Sequence, residues 1–227
     1  MTNRIICPSM MCANFANLEE ETKQLDAAGV DIFHMDIMDG TFVPNFGMGL
    51  QDFELVRKTT KQRVDVHLMI DQPGRYVEKF ADMGADIIYF HPEADLHPTR
   101  TLAMIKAKGK QAGIAINPGT SLASIRELLH LTDFVMVMTV NPGFAGQKYL
   151  PFVDKKIEQL AALKEELAFT IMVDGAISAE KVESLSVKGV QGFVLGTSAL
   201  FGKQISYQEI VKELHGSNEI DQLEVKS

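Results

Sequence analysis

With 227 residues, 46% of them hydrophobic, the chain has enough apolar side chains to bury a sizeable core. Its formal net charge of −8 argues against nucleic acid or an anionic membrane as partner, since a polyanion is repelled by an acidic protein. Two cysteines, Cys7 and Cys12, lie too close together in apolar surroundings for a disulfide framework, and the apolar run ending at Pro8 is too short for a signal-peptide core or membrane span. A cytoplasmic protein is expected, and any anion it binds must be held by local geometry.

Taken in order, short apolar runs alternate with amphipathic stretches about eight times, which is the rhythm of a parallel α/β protein. Strands are predicted over 5–8, 31–36, 64–69, 86–90, 111–117, 134–139, 169–174 and 192–195, with helices filling the gaps. The first helix, over 17–28, places Leu18, Thr22, Leu25 and Ala28 on one face and Gly29 just past its end. A later one, over 150–167, repeats this logic with Ile157, Leu160 and Ala161. Gly84, Gly109 and Gly189 each stand between a helix and a strand, where a left-handed residue ends the helix. Eight such units in this length match a closed (β/α)8 TIM barrel better than an open doubly wound sheet. One domain is expected over 1–215, followed by a polar, frayed tail over 216–227.

In such a barrel the site lies at the C-terminal ends of the strands. His34 and Asp36 end the second predicted strand two residues apart, on the same side; His67 ends the third and Asp174 the seventh. Two imidazoles and two carboxylates suit one divalent ion such as Zn²⁺, Mn²⁺, Fe²⁺ or Co²⁺. The bland alternatives are a hydrogen-bonded core histidine and aspartates that cap loops or pair with Lys and Arg. If Asp36 and Asp174 approach a substrate carbon from opposite faces, one can remove a proton while the other returns one. The stretch 140–147 is rich in glycine and reads either as a lid hinged at Gly143 and Gly146 or as a plain tight loop. Gly175–Ala176 and Gly196–Thr197–Ser198 follow strands seven and eight, the usual place for a phosphate held by backbone N–H groups. Met11, Met38, Met69 and Met138 near the strand ends serve as core filler or as a thioether cap. Asp39, Asp65, His91, Glu93 and His97 are candidates for orienting ligands or substrate.

Several of these residues carry a likeness. The segments 34–40 (HMDIMDG), 42–45 (FVPN), 67–69 (HLM), 138–144 (MTVNPGF) and 173–175 (VDG), with Pro8–Ser9, resemble the ribulose-phosphate 3-epimerase family up to about Gly202. The resemblance implies C3 epimerisation of a ketose phosphate through an enediolate, with one divalent metal per subunit in a homo-oligomer. It implies His34, Asp36, His67 and Asp174 as ligands, Asp36 as proton acceptor and Asp174 as proton donor. Ser9, His67, Gly143, Phe144, Ala145, Gly146, Gly175, Ala176, Gly196, Thr197 and Ser198 would hold the sugar phosphate. Cys12, Ala145, Ala176 and Thr197 depart from the pentulose-phosphate pattern, and His91-Pro92-Glu93 is a further distinguishing triplet. Together they resemble the D-allulose-6-phosphate branch, so the expected reaction is D-allulose 6-phosphate to D-fructose 6-phosphate, with D-ribulose 5-phosphate as the alternative substrate. A decarboxylase or aldolase with a lysine between two aspartates is disfavoured, because no lysine lies between Phe33 and Gly40. A barrel that binds sugar phosphate without turnover is the third reading.

Overall fold

The computed structural model describes residues 4–216, the side chain of Glu165 excepted. Eight strands are present: β1 (Ile5–Pro8), β2 (Ile32–Met38), β3 (Arg63–Met69), β4 (Ile87–Phe90), β5 (Gln111–Ile116), β6 (Phe134–Met138), β7 (Thr170–Asp174) and β8 (Gly192–Leu195). All are parallel, in the order β1-β8-β7-β6-β5-β4-β3-β2. The ring closes between β1 and β2. Asp31 donates its backbone N–H to Ile6 O at 3.0 Å and accepts the Ile6 N–H at Oδ2, 2.7 Å, while Ser9 and His34 form a parallel bridge. The predicted (β/α)8 barrel is therefore the observed architecture.

Its helices are α1 (Leu18–Ala27), α2 (Leu50–Thr59), α3 (Val77–Asp82), α4 (Pro98–Ala107), α5 (Asp154–Leu167), α6 (Ala179–Ser186) and α7 (Tyr207–His215). Leu18, Thr22 and Leu25 are buried in α1 as their spacing implies, and so are Ile157 and Leu160 in α5. One expected helix is missing. Between β5 and β6 the chain forms two 3₁₀ segments, Leu122–Ser124 and Arg126–Leu131, instead. A 3₁₀ turn rises further per residue than an α-turn, so few residues can lead the chain back to the foot of the barrel while Ile125, Leu128 and Leu129 are buried. The segment 150–167 likewise opens with a 3₁₀ turn, Pro151–Val153, because the Pro151 ring suits a first turn. The expected tail beyond 216 lies outside the described residues.

Strands buried on both faces explain why β2 reads as an unbroken apolar run with polar residues inserted. Outward residues such as Phe33, Val64 and Val66 pack under the helices, whereas Cys7, Tyr89, Met136 and Met172 fill the lumen. The lumen is tight enough to require glycine at two points. A Cβ on Gly113 would overlap the Tyr89 ring, and one on Gly192 would overlap the Met172 sulfur. Among the described residues no helix is long and apolar enough to cross a membrane.

Candidate functional site

Side chains two apart on a strand share a face, so His34 with Asp36 on β2 and Asp65 with His67 on β3 all point into the barrel. The β2–β3 register pairs His34 with Asp65 and Asp36 with His67. These four residues are buried, while Asp174, at the end of β7, keeps a side chain 16% exposed. One nitrogen or oxygen from each of His34, Asp36, His67 and Asp174 falls within 4.8 Å of the others. His34 Nε2 and His67 Nδ1 are each 3.3 Å from Asp36 Oδ1, and His67 Nδ1 is 3.7 Å from Asp174 Oδ2. These edges bracket the ~3.4 Å expected between donors that share a cation at about 2.1 Å.

Two observations support a cation at this point. His34 Nε2 is buried with no hydrogen-bond partner, which is costly unless something else takes its lone pair. Among the described residues, Asp36 and Asp174 find imidazoles and no Lys or Arg as ionic partners, so simple ion pairing does not account for them. On its other side, His34 Nδ1 lies 2.6 Å from Asp65 Oδ1. The imidazole is raised well above its ordinary pKa: burial opposes its charge, but Asp65 and Asp36 outweigh it.

The two carboxyl groups are tuned apart. Burial works to raise Asp36, yet His34 first and then His67 hold it well below the usual carboxylate range; Ser9 Oγ–H also donates to its Oδ2 at 2.7 Å. Burial, and then the charge of Asp36, pushes Asp174 up to about 7. Side by side, one carboxyl is thus ionised at neutral pH and the other is half protonated.

A cleft opens above these groups, and Asp36 and Asp174 both lie in its wall. So do Ser9, Gly143, Phe144, Ala145, Gly146, Gly175, Ala176, Gly196, Thr197 and Ser198, as well as Met11, Met38, Met69 and Met138. His34 and His67 do not line it. Expected to touch substrate as well as metal, His67 is completely buried and turns Nδ1 toward the carboxylates. The loop after β6 is held to the loop after β2, where Asn45 Nδ2–H donates to Gly143 O at 2.7 Å; Gln147 also donates to Asn141 O and Phe144 O, at 2.6 and 2.8 Å. Ala176 takes a φ of +53°, a left-handed conformation that a side chain adopts at a cost. After β8 the backbone makes one helical turn, with Leu200 N–H donating to Gly196 O at 3.0 Å.

The remaining candidates separate by position. Asp39 accepts the N–H groups of Thr41 and Phe42 through Oδ1 and that of Asp71 through Oδ2, and so ties two rim loops together. His97 precedes α4 and is exposed. His91 is fully buried, with its Nε2 2.9 Å from Nε2 of His67. That pairing is invisible in a linear sequence. The available signal was weak: an apolar run that gives way to a histidine, as the run before His67 does.

The ribulose-phosphate 3 epimerase family model matches residues 5–201. The chain is 40% identical over 215 residues to ribulose-phosphate 3-epimerase of Bacillus subtilis, covering 93% of this chain and 98% of that one. It is 37% identical over 217 residues to the protein of the same name from Escherichia coli K12, covering 94% and 96%. Among solved structures, KGPDC from Streptococcus mutans superposes with a TM-score of 0.72 at 12% identity, covering 93% of this chain and 95% of that one, a likeness of fold alone.

Proposed function

The chain belongs to the ribulose-phosphate 3-epimerase family, and we propose that it inverts C3 of D-ribulose 5-phosphate to give D-xylulose 5-phosphate. The observation that carries the reading is the pair Asp36 and Asp174, two carboxyl groups whose acidities are driven in opposite directions in one cleft wall above two buried imidazoles. Ionised Asp36 takes the proton from C3, and the electron pair of the broken C–H bond moves toward the C2 carbonyl to give an enediolate. Asp174 then delivers its own proton to the opposite face of C3, which inverts the centre. In the reverse direction their roles exchange. Ser9 keeps Asp36 oriented through its 2.7 Å hydrogen bond.

His34 Nε2, His67 Nδ1 and one oxygen each from Asp36 and Asp174 would hold a single divalent cation, Zn²⁺, Mn²⁺, Co²⁺ or Fe²⁺. Bound there, the cation would supply positive charge that favours the negative charge developing on the substrate. The backbone at Gly175–Ala176 and Gly196–Ser198 forms the phosphate end of the cleft, and the loop over Gly143–Gly146 covers the sugar. Unpaired Cys7 and Cys12 fit a reducing cytoplasm.

The hexulose-phosphate reading drawn from Cys12, Ala145, Ala176 and Thr197 moves to second place. Chains bearing the pentulose-phosphate enzyme's name are 37% and 40% identical over nearly the whole length, a likeness that outweighs four departures read from the sequence. One observation keeps the hexulose in play: all four positions line the same cleft. Steady-state assay of the metal-replete protein with D-ribulose 5-phosphate and D-allulose 6-phosphate decides between them. A higher kcat/KM for the pentulose phosphate is expected. Preference for the hexulose phosphate would assign those four positions to substrate choice, and turnover of neither would refute an epimerase.

A further inference from the structure

Neutral imidazole carries one proton on two nitrogens, so a histidine that gives a lone pair from one must carry its hydrogen on the other. His67 turns Nδ1 toward Asp36 and Asp174. Its Nε2 points away from them and meets Nε2 of His91 at 2.9 Å. The two rings, with centroids 5.0 Å apart and planes inclined by 29°, touch through these nitrogens. Only one hydrogen fits between them. If His67 supplies it, His91 accepts at Nε2 and its own proton must sit on Nδ1.

The surroundings of His91 suit that arrangement. Its Nδ1 has no hydrogen-bond partner within normal reach, and a Glu93 carboxylate oxygen, Oε2, stands 3.6 Å away, the charge that favours a proton there. Glu93 is itself pinned. Its Oε1 accepts the Asn117 N–H at 2.9 Å and the Thr120 hydroxyl, and Lys156 Nζ clamps the same loop by donating to Asn117 O and Pro118 O, at 2.9 and 2.8 Å. A run of fixed groups thus leads from α5 through the loop after β5 to the back of His67.

We propose that His91, backed by Glu93, is a positioning residue that locks His67 in the tautomer with its proton on Nε2, leaving Nδ1 free to present a lone pair to the divalent cation. This rests on the metal reading given above. The rival role for His91 is simple space filling between β4 and the ring of Phe42, whose centroid is 4.8 Å away. A space filler has no reason to set a neighbour's tautomer.

The test uses metal-free full-length protein with ¹⁵N-labelled histidine, as wild type, His91→Gln, His91→Leu and Glu93→Gln. Long-range ¹H–¹⁵N correlation reads each tautomer, and calorimetric titration with Zn²⁺ reads affinity. Wild-type His67 is expected to carry its proton on Nε2, and His91 on Nδ1. In His91→Leu the His67 tautomers should mix and the Zn²⁺ Kd should rise about 10- to 100-fold, the usual effect of removing a ligand's outer partner. His91→Gln, whose amide oxygen can accept the same proton, should restore both, and Glu93→Gln should show a smaller loss of affinity. A wild-type His67 protonated on Nδ1 overturns the proposal, as does a folded His91→Leu with unchanged affinity and tautomer. Should His91→Leu fail to fold, the wild-type tautomer and the His91→Gln rescue decide. A wild type that takes up no Zn²⁺ overturns the metal reading instead, and the tautomers in the same sample still settle the His67–His91 bond.

Discussion

Replacing Glu93 by glutamine measures what the support behind His67 contributes to folding. Burial alone would raise the Glu93 carboxyl, but the contacts from His91, Thr120 and the Asn117 N–H prevail and hold it down to about 2, against an ordinary value of 4.5. His91 and Lys156 are the charged or titratable groups that act across this contact. A carboxyl whose folded pKa is depressed stabilises the fold above its unfolded pKa, and that contribution is lost as the pH falls through the folded pKa. The window here runs from about 4.5 down to about 2. At about 1.4 kcal/mol per pH unit, the full gap corresponds to about 3 kcal/mol at neutral pH. The Glu93 side chain is partly open to solvent, and screening reduces this to roughly 1–2 kcal/mol. Less than half of it should survive at pH 3, between the two values. Urea unfolding of wild type and Glu93→Gln at pH 7 and pH 3 reads the difference at each pH, so that the other carboxylates cancel. An equal difference at both pH values, or none at pH 7, would refute the reasoning.

Two more outcomes follow from particular contacts. Asp174→Asn removes the proposed proton donor without changing side-chain volume; kcat should fall by about 10²–10⁴-fold with the urea midpoint nearly unchanged, and wild-type turnover would remove Asp174 from proton transfer. Gly113→Ala sets a methyl group into the Tyr89 ring inside the lumen, where neither strand can yield, and should cost about 1–3 kcal/mol in urea unfolding. An unchanged midpoint there would mean that the lumen is looser than its packing implies.

The barrel was legible because its strands are buried on both faces and run out at or near a proline, glycine or polar residue, so runs such as Ile171–Val173 stand out against the helices between them. His34, Asp36, His67 and Asp174 were legible for the same reason, since parallel strands deliver their C-terminal ends to one rim whatever the exact register. What the register adds is the partner of each. The alternation in Val64-Asp65-Val66-His67 already said that Asp65 and His67 point the same way, but not that Asp65 would meet Nδ1 of His34; that needs the pairing of β2 with β3. His91 was harder still. It lies just past the end of β4, and its meeting with His67 depends on how far that strand runs before the chain turns.

Substrate choice failed to show for a different physical reason. Cys12, Ala145, Ala176 and Thr197 line the cleft at its rim, and on the proposed reading the length of sugar it accepts is set by the distance between the carboxylates at the strand ends and the loop backbones proposed to take the phosphate. That distance is a property of loop backbones. Ala176 illustrates it: at φ +53° it holds the left-handed conformation that a glycine would adopt at no steric cost, so the exchange acts on the energy of the turn. A side-chain difference of this kind can leave the cleft length unaltered. Likeness across nearly the whole chain therefore weighs more on substrate than four substitutions clustered at one rim.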